Sequence, residues 1–236
     1  LECYLAAAAE QRGIALLRSA IPRFRQRSRQ NTLLACFERI SAYLERMSHV
    51  AGLIAEGLGM SEDEVRLIEL AAPLHDIGKI AIPDDVLLKP GPLDEQQLAI
   101  MRRHPQIGHE LLSGSQNRFI QAGATIALRH HERYDGSGYP DGLSGAQIPV
   151  EARIVAVADV FDALTADRVY RPALPVDEAL AIMREQRSRQ FDPLVFDVLE
   201  DIVQDGRGDD GGLLATLDET VVEDTMPVDA PERTEE

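Results

Sequence analysis

The sequence predicts an all-α fold, and three observations carry that expectation. Apolar residues recur at helical spacing through most of the first 203 positions. Cap residues and prolines punctuate those stretches at helix-length intervals. No segment alternates apolar and polar residues convincingly at the two-residue period of a strand.

Residues 1 to 21 read as a first helix, with Leu5-Ala6-Ala7-Ala8-Ala9 of high helix propensity. Pro22 interrupts it, and Arg23, Arg25, Arg27 and Arg29 follow as an exposed basic linker. Asn31-Thr32 can cap a second helix running to about Gly59, with an apolar stripe through Leu33, Phe37, Ile40, Leu44, Met47 and Ile54. Ser61-Glu62-Asp63-Glu64 has the form of a capping box opening the next helix. That helix, through Leu67-Ile68-Glu69-Leu70-Ala71-Ala72, delivers Pro73-Leu74-His75-Asp76-Ile77-Gly78-Lys79 to the interior. Buried ionisable groups are costly unless paired or holding a metal, and His and Asp both ligate divalent transition metals.

Ile82-Pro83 and Lys89-Pro90-Gly91-Pro92 mark a loop. From Leu93-Asp94 another helix runs to His104, where Pro105 ends it and serves as N1 of the next; His109 reads as a helix-surface residue. A helix from Asn117 to His131 ends in Arg129-His130-His131-Glu132. Adjacent side chains on a helix diverge by about 100°, so two neighbouring histidines can converge only near a helix end, and this helix ends there. The loop from Tyr134 to Gly145 holds four glycines that let backbone approach a ligand closely. Val150 to Asp167 is the most apolar helix, yet it carries Asp159 and Asp162 on one face. Helices at about Val176 to Gln186 and Pro193 to Val203 complete the core.

These readings divide the chain into an N-terminal helix and linker (1–30), a helical domain (31–204) and an acidic tail (205–236) expected to be disordered. The net charge is −16, and the tail alone holds eleven acids against two arginines. The remainder is only mildly acidic, which argues against duplex nucleic acid as a partner. No apolar run approaches the roughly 18 residues of a membrane span. Cys3 and Cys36 lack framework spacing and read as reduced thiols of a cytoplasmic protein. Only two of the 24 basic residues are lysines, and one of them, Lys79, stands beside the His-Asp pair. The chain starts without Met, as a fragment of a longer protein would.

Collected, the unusual positions are His75, Asp76, His104, His130, His131 and Asp159. Together they form a nitrogen- and oxygen-rich set large enough for two ions, with one carboxylate bridging. Paired metals are a common device for phosphate ester hydrolysis. Iron, manganese and zinc all suit such donors.

At these residues the chain resembles the HD-GYP domain, a subset of the HD phosphohydrolases that hydrolyses cyclic di-GMP. The matching stretches are His75-Asp76-Ile77-Gly78-Lys79, His104-Pro105, His130-His131-Glu132, Asp135-Gly136-Ser137-Gly138-Tyr139-Pro140 and Val157-Ala158-Asp159-Val160-Phe161-Asp162-Ala163-Leu164-Thr165. The resemblance covers roughly residues 32 to 203. It implies an all-α HD-domain bundle and a cluster of two divalent transition metals, iron or manganese first and zinc as a further candidate. The six residues above would hold the metals. Asp76 and Lys79 would be the catalytic residues, and Lys79, Tyr139, Arg168 and Arg171 the substrate contacts, with products pGpG, GMP or both. An upstream sensory or receiver domain is a further expectation.

One departure stands out. The family usually places a histidine 32 residues before the His of the His-Asp pair, with a glutamate four before that; here those positions are Tyr43 and Arg39. His49, with Glu45 four before it, lies about 240° round the helix from Tyr43 and should face elsewhere. A third metal is therefore not expected. The departure also favours an alternative, a degenerate module that binds the nucleotide or a protein partner without efficient turnover. An HD-type oxidase on the same metals is disfavoured by the Gly-Tyr-Pro loop and by Arg168 and Arg171.

Overall fold

The computed structural model describes residues 44–206, apart from 88, 90 and 167–171. The expected N-terminal helix and Arg strip, Cys3 and Cys36, Arg39 and Tyr43, the Arg168/Arg171 pair and the tail from 207 onward lie outside the described residues. Within them the chain is helical, and its only β pairings are the isolated bridges Asp135–Ser144 and Arg187–Phe191.

Helix α1 covers 44–57 and is followed by α2 (Glu62–Ala71), α3 (Asp84–Leu87), α4 (Glu95–Met101), α5 (His104–Leu112) and α6 (Arg118–Arg129). After the long loop come α7 (Val150–Thr165), α8 (Val176–Arg184) and α9 (Pro193–Asp205). Short 3₁₀ turns occupy Ala72–Leu74, Ile77–Ala81 and Gly145–Gln147. The sequence reading missed α3 inside the expected loop, and α9 continues to Asp205, slightly past the expected end.

Local chemistry explains the boundaries. The Glu64 carboxylate accepts from the Ser61 backbone N–H (2.9 Å) and hydroxyl (2.6 Å), fixing the start of α2. Asp94 caps α4 by accepting from Gln97 N–H (2.9 Å), and Asn117 caps α6 by accepting from Phe119 N–H (2.9 Å). The α4–α5 break falls earlier than expected. A proline ring clashes with the carbonyl four residues back, here Met101, so α4 stops at Met101 rather than at His104. His104 instead opens α5, with Pro105 in its first turn, where a missing N–H costs no helical bond.

Helix α7 runs through the centre. Ile154, Val155, Val157, Ala158 and Phe161 are fully buried against Met47 and Ile54 of α1, Ile126 of α6, Met183 of α8 and Phe196 and Leu199 of α9. Burying a side chain of that size contributes about 1.5–3 kcal/mol, so this helix anchors the bundle. Its two aspartates have separate surroundings. Buried Asp162 accepts from Arg46 Nε of α1 at 2.9 Å, a structural pair that ties α1 to α7. Asp159 is half-buried and faces the histidines described next.

The 3₁₀ turn Ile77–Ala81 packs on α5 at backbone distance. A Cβ on Gly78 would overlap the His104 carbonyl oxygen and lie 2.6 Å from Gly108 N. Only glycine permits that approach, which brings the His75-Asp76 segment against His104.

Candidate metal centre

Three histidines reach one point by the same local device. His75 follows the 3₁₀ turn Ala72–Leu74, His104 follows the broken end of α4, and His130 follows α6. Helix ends leave backbone carbonyls without a helical partner. His75 Nδ1 lies 2.9 Å from Ala72 O, His104 Nδ1 2.8 Å from Met101 O, and His130 Nδ1 3.0 Å from Ala127 O. In each case the carbonyl accepts from a ring nitrogen three residues on. A carbonyl cannot donate, so Nδ1 carries a proton in each, which leaves Nε2 as the nitrogen able to face a metal.

The three Nε2 atoms turn toward Asp76, and its two carboxylate oxygens face different partners. Oδ1 lies 3.3 Å from His104 Nε2 and 3.8 Å from His130 Nε2. Oδ2 lies 3.4 Å from His75 Nε2 and is bonded to Lys79 Nζ. His131 completes the first group: one donor atom from each of Asp76, His104, His130 and His131 lies within 4.8 Å of all the others. Asp159 closes the second side, its Oδ1 3.9 Å from His75 Nε2. The structure thus brings the six expected ligands and Lys79 together, although they span 84 positions of sequence from His75 to Asp159.

The two remaining histidines stand apart. His109, expected on the surface, is half-buried with Nδ1 3.2 Å from Ala124 O of α6. His49 is exposed on α1.

The electrostatics are those of a site that holds positive charge. Burial works against a proton on His75, but Asp76 and Asp159 outweigh it and hold its pKa up to about 9. Burial, reinforced by repulsion from His75, presses His130 down to about 3. His131 and His104 are also lowered, chiefly by burial. Asp76, despite a burial penalty, is held well below the usual carboxylate range by His75 and Lys79. His104, His130 and His131 therefore stand as neutral imidazoles beside an ionised Asp76, the protonation states that divalent ions need, while His75 holds a proton that an ion would have to displace. Donor types, tautomers and spacing all fit a divalent transition metal.

The loop beside the cluster is held by Glu132, a residue to which the sequence alone gives no role. Glu132 is buried and accepts from the backbone N–H of Asp141 (3.0 Å) and of Leu143 (3.0 Å), and pairs with Arg129 at 3.1 Å. The only signal for it was an acid directly after two histidines. One loop glycine, Gly138, serves a purpose other than the expected approach to a ligand. A Cβ on Gly138 would sit 2.6 Å from both Glu132 Cα and His131 O, so its space is taken by the protein's own backbone rather than a ligand. This folding-back places Tyr139 on His131, rings stacked at 4.8 Å and 26°. Burial is the main cause that pushes the Tyr139 phenol up to about 12, so it stays protonated and able to donate.

A profile of the HD domain family matches residues 14–195. The chain is 72% identical over 159 residues to the cyclic di-GMP phosphodiesterase response regulator RpfG of Xanthomonas campestris pv. campestris, covering 67% of this chain and 42% of that protein. It is 44% identical over 162 residues to a 3'3'-cGAMP-specific phosphodiesterase of Vibrio cholerae, covering 69% of this chain and 30% of that one. The chain thus spans less than half the length of these curated relatives. Among solved structures, an HDG"Y"P protein from Bdellovibrio bacteriovorus, Bd1817, superimposes with a TM-score of 0.54 at 23% identity over 72% of this chain and 54% of that one, a likeness of fold.

Proposed function

This chain belongs to the HD domain family, and from that premise we propose that it is a metal-dependent phosphodiesterase that hydrolyses cyclic di-GMP to pGpG, GMP or both. The observation that carries the reading is the convergence of Asp76, His104, His130 and His131 beside His75, Asp159 and Lys79. Relatives named for cyclic di-GMP hydrolysis support the substrate, and one named for 3'3'-cGAMP makes cyclic GMP-AMP the nearest competitor.

In this reading His104, His130 and His131 would hold one divalent ion and His75 and Asp159 a second, with Asp76 as the carboxylate common to both. Iron or manganese fits best, with zinc the third candidate. Such ions supply Lewis acidity and lower the pKa of a nucleophilic water. Lys79 places an ammonium beside Asp76, where it donates to a phosphoryl oxygen as charge builds. Tyr139 presents a protonated phenol at the edge of the cluster. Arg168 and Arg171 contribute forked donors to a phosphate or a guanine edge. We assign residues 1–30 to a linker from an upstream sensory or receiver domain and 31–204 to the catalytic domain of a cytoplasmic protein. No helix among the described residues is long and apolar enough to cross a membrane.

Metal-loaded protein incubated with cyclic di-GMP, with products separated by chromatography, tests the reading: linear pGpG or GMP is expected, and intact substrate would overturn it. Elemental analysis after anaerobic purification should count two ions per chain; three would contradict the assignment. The second reading, binding without turnover, is favoured by Arg39 and Tyr43 where the family usually has Glu and His. Tight binding of cyclic di-GMP with no product would select it.

A further inference from the structure

A cyclic dinucleotide carries two phosphodiesters, and only one can occupy the reacting position at a time. The inference here rests on the function proposed above and concerns what holds the other half. A groove of 560 Å³ runs along α4 and the α4–α5 turn to the Gly-Tyr-Pro loop, with Leu98, Arg102, Arg103, Gln106, Tyr139 and Pro140 in its walls. Tyr139 joins it to the histidine cluster, lining the groove while it packs on His131. The ring stacks on His131 at 4.8 Å, and the Arg102 guanidinium carbon lies over the same ring, 5.3 Å from its centroid.

Arg102 and Arg103 lie in the turn created where Pro105 breaks the helix, and both are exposed. Other arginines of the bundle are committed to carboxylates: Arg129 to Asp141, Arg153 to Asp192, Arg184 to Glu200 and Arg187 to Asp197. Among the described residues Arg102 makes no such pair, and its contact is the aromatic ring. A guanidinium over an aromatic face keeps its in-plane N–H donors free for an anion. Glu95, about two turns away on α4, gives the far end of the groove the wrong charge for a phosphate. The anion therefore belongs at the Arg102 end, and exposed Leu98 with Pro140 offers apolar surface for a base.

We propose that Arg102, seconded by Arg103, binds the phosphodiester that is not being cleaved and holds the dinucleotide across the Tyr139 ring. The test compares wild type, Arg102→Ala and Arg102→Lys as full-length, metal-loaded protein on two substrates. One is cyclic di-GMP; the other is bis(para-nitrophenyl) phosphate, a diester with a single phosphate that cannot span the groove. Loss of one charged hydrogen-bonding contact should raise KM for cyclic di-GMP by roughly ten- to a hundredfold in Arg102→Ala. The change should fall on KM more than on kcat, and exceed any change with the aryl diester by about tenfold or more. Lysine should restore part of it, and added salt should weaken binding less in Arg102→Ala than in wild type.

An unchanged KM for cyclic di-GMP would overturn the proposal. So would equal losses on both substrates, which would make Arg102 a support for Tyr139 and His131 rather than a substrate contact. If wild type cleaves the aryl diester but neither binds nor cleaves cyclic di-GMP, the function proposed above fails and this inference falls with it.

Discussion

The histidine cluster and the loop that carries Tyr139 touch through the His131–Tyr139 stack, yet they are oriented by opposite means. The cluster uses local partners. His75, His104 and His130 each turn on a backbone carbonyl three residues back, at the end of a helical turn. The loop uses distant partners. Buried Glu132 gathers backbone N–H groups nine and eleven residues ahead, while Arg133 reaches the Gln186 and Gln190 side chains at 3.0 and 2.8 Å. Ligands fixed by their own helix ends should survive damage elsewhere, whereas a loop fixed by one buried carboxylate should fail as a unit.

The largest expected effect comes from breaking the element the cluster shares. Asp76→Asn keeps the shape and removes the charge that both sides of the cluster face. We expect metal content to fall by most of its value, and turnover of cyclic di-GMP by a factor of at least ~10³, on the scale of losing an essential metal's contribution. Metal retained at wild-type stoichiometry would show that the histidines suffice without the carboxylate.

Lys79→Ala separates charge neutralisation from metal binding. Turnover should drop by roughly 10²–10³, the scale for loss of one preorganised donor. Metal content should hold, because the ring nitrogens remain set by their carbonyls. Equal rates in the two proteins would remove Lys79 from the chemistry.

Glu132→Ala attacks the loop alone. It removes one of the two carboxylates on Arg129, which keeps Asp141, and leaves two backbone N–H groups without their acceptor, at about 1–3 kcal/mol for each donor left unsatisfied. A lowered melting temperature and a raised KM should accompany near-normal metal content if the two regions are as independent as their hydrogen bonds indicate. Metal lost in proportion to KM would show instead that Tyr139 packing supports His131.

How much of this was legible in the sequence follows the same division. The helices could be read because period, caps and prolines are local. So could the six converging residues, since ionisable side chains at helix ends or on an apolar helix stand out one by one. Glu132 was not legible as an anchor, because its partners are backbone N–H groups with no sequence signature. The α4–α5 boundary was misplaced because a proline's clash acts four residues upstream, at Met101, while the proline itself draws attention to His104. The α4 groove escaped notice for a related reason: Arg102 reads as one arginine among many until the fold lays it over Tyr139.

The smallest effect is the most specific to the cluster, and it appears only when the metal is removed. An unfolded histidine titrates near 6.5. Below that, the unfolded chain takes up protons that His130, at about 3, refuses in the fold, so stability rises with pH across that interval. His104 and His131, also lowered, act in the same direction. His75 acts oppositely. Its folded pKa of about 9 means that the fold holds a proton the unfolded chain has released, so its contribution is complete below about 6.5 and is lost as pH rises toward 9. Asp76 and Asp159 favour that proton and Lys79 opposes it, so the sign depends on the carboxylates. Thermal melts of the metal-stripped protein should therefore peak near the ordinary histidine pKa and decline on the alkaline side. In Asp159→Asn the alkaline decline should shrink and begin at lower pH. Reloading the metal should remove the alkaline arm, because the ion replaces the His75 proton. An alkaline arm of equal size with and without metal would mean that the proton sits on a group outside the cluster.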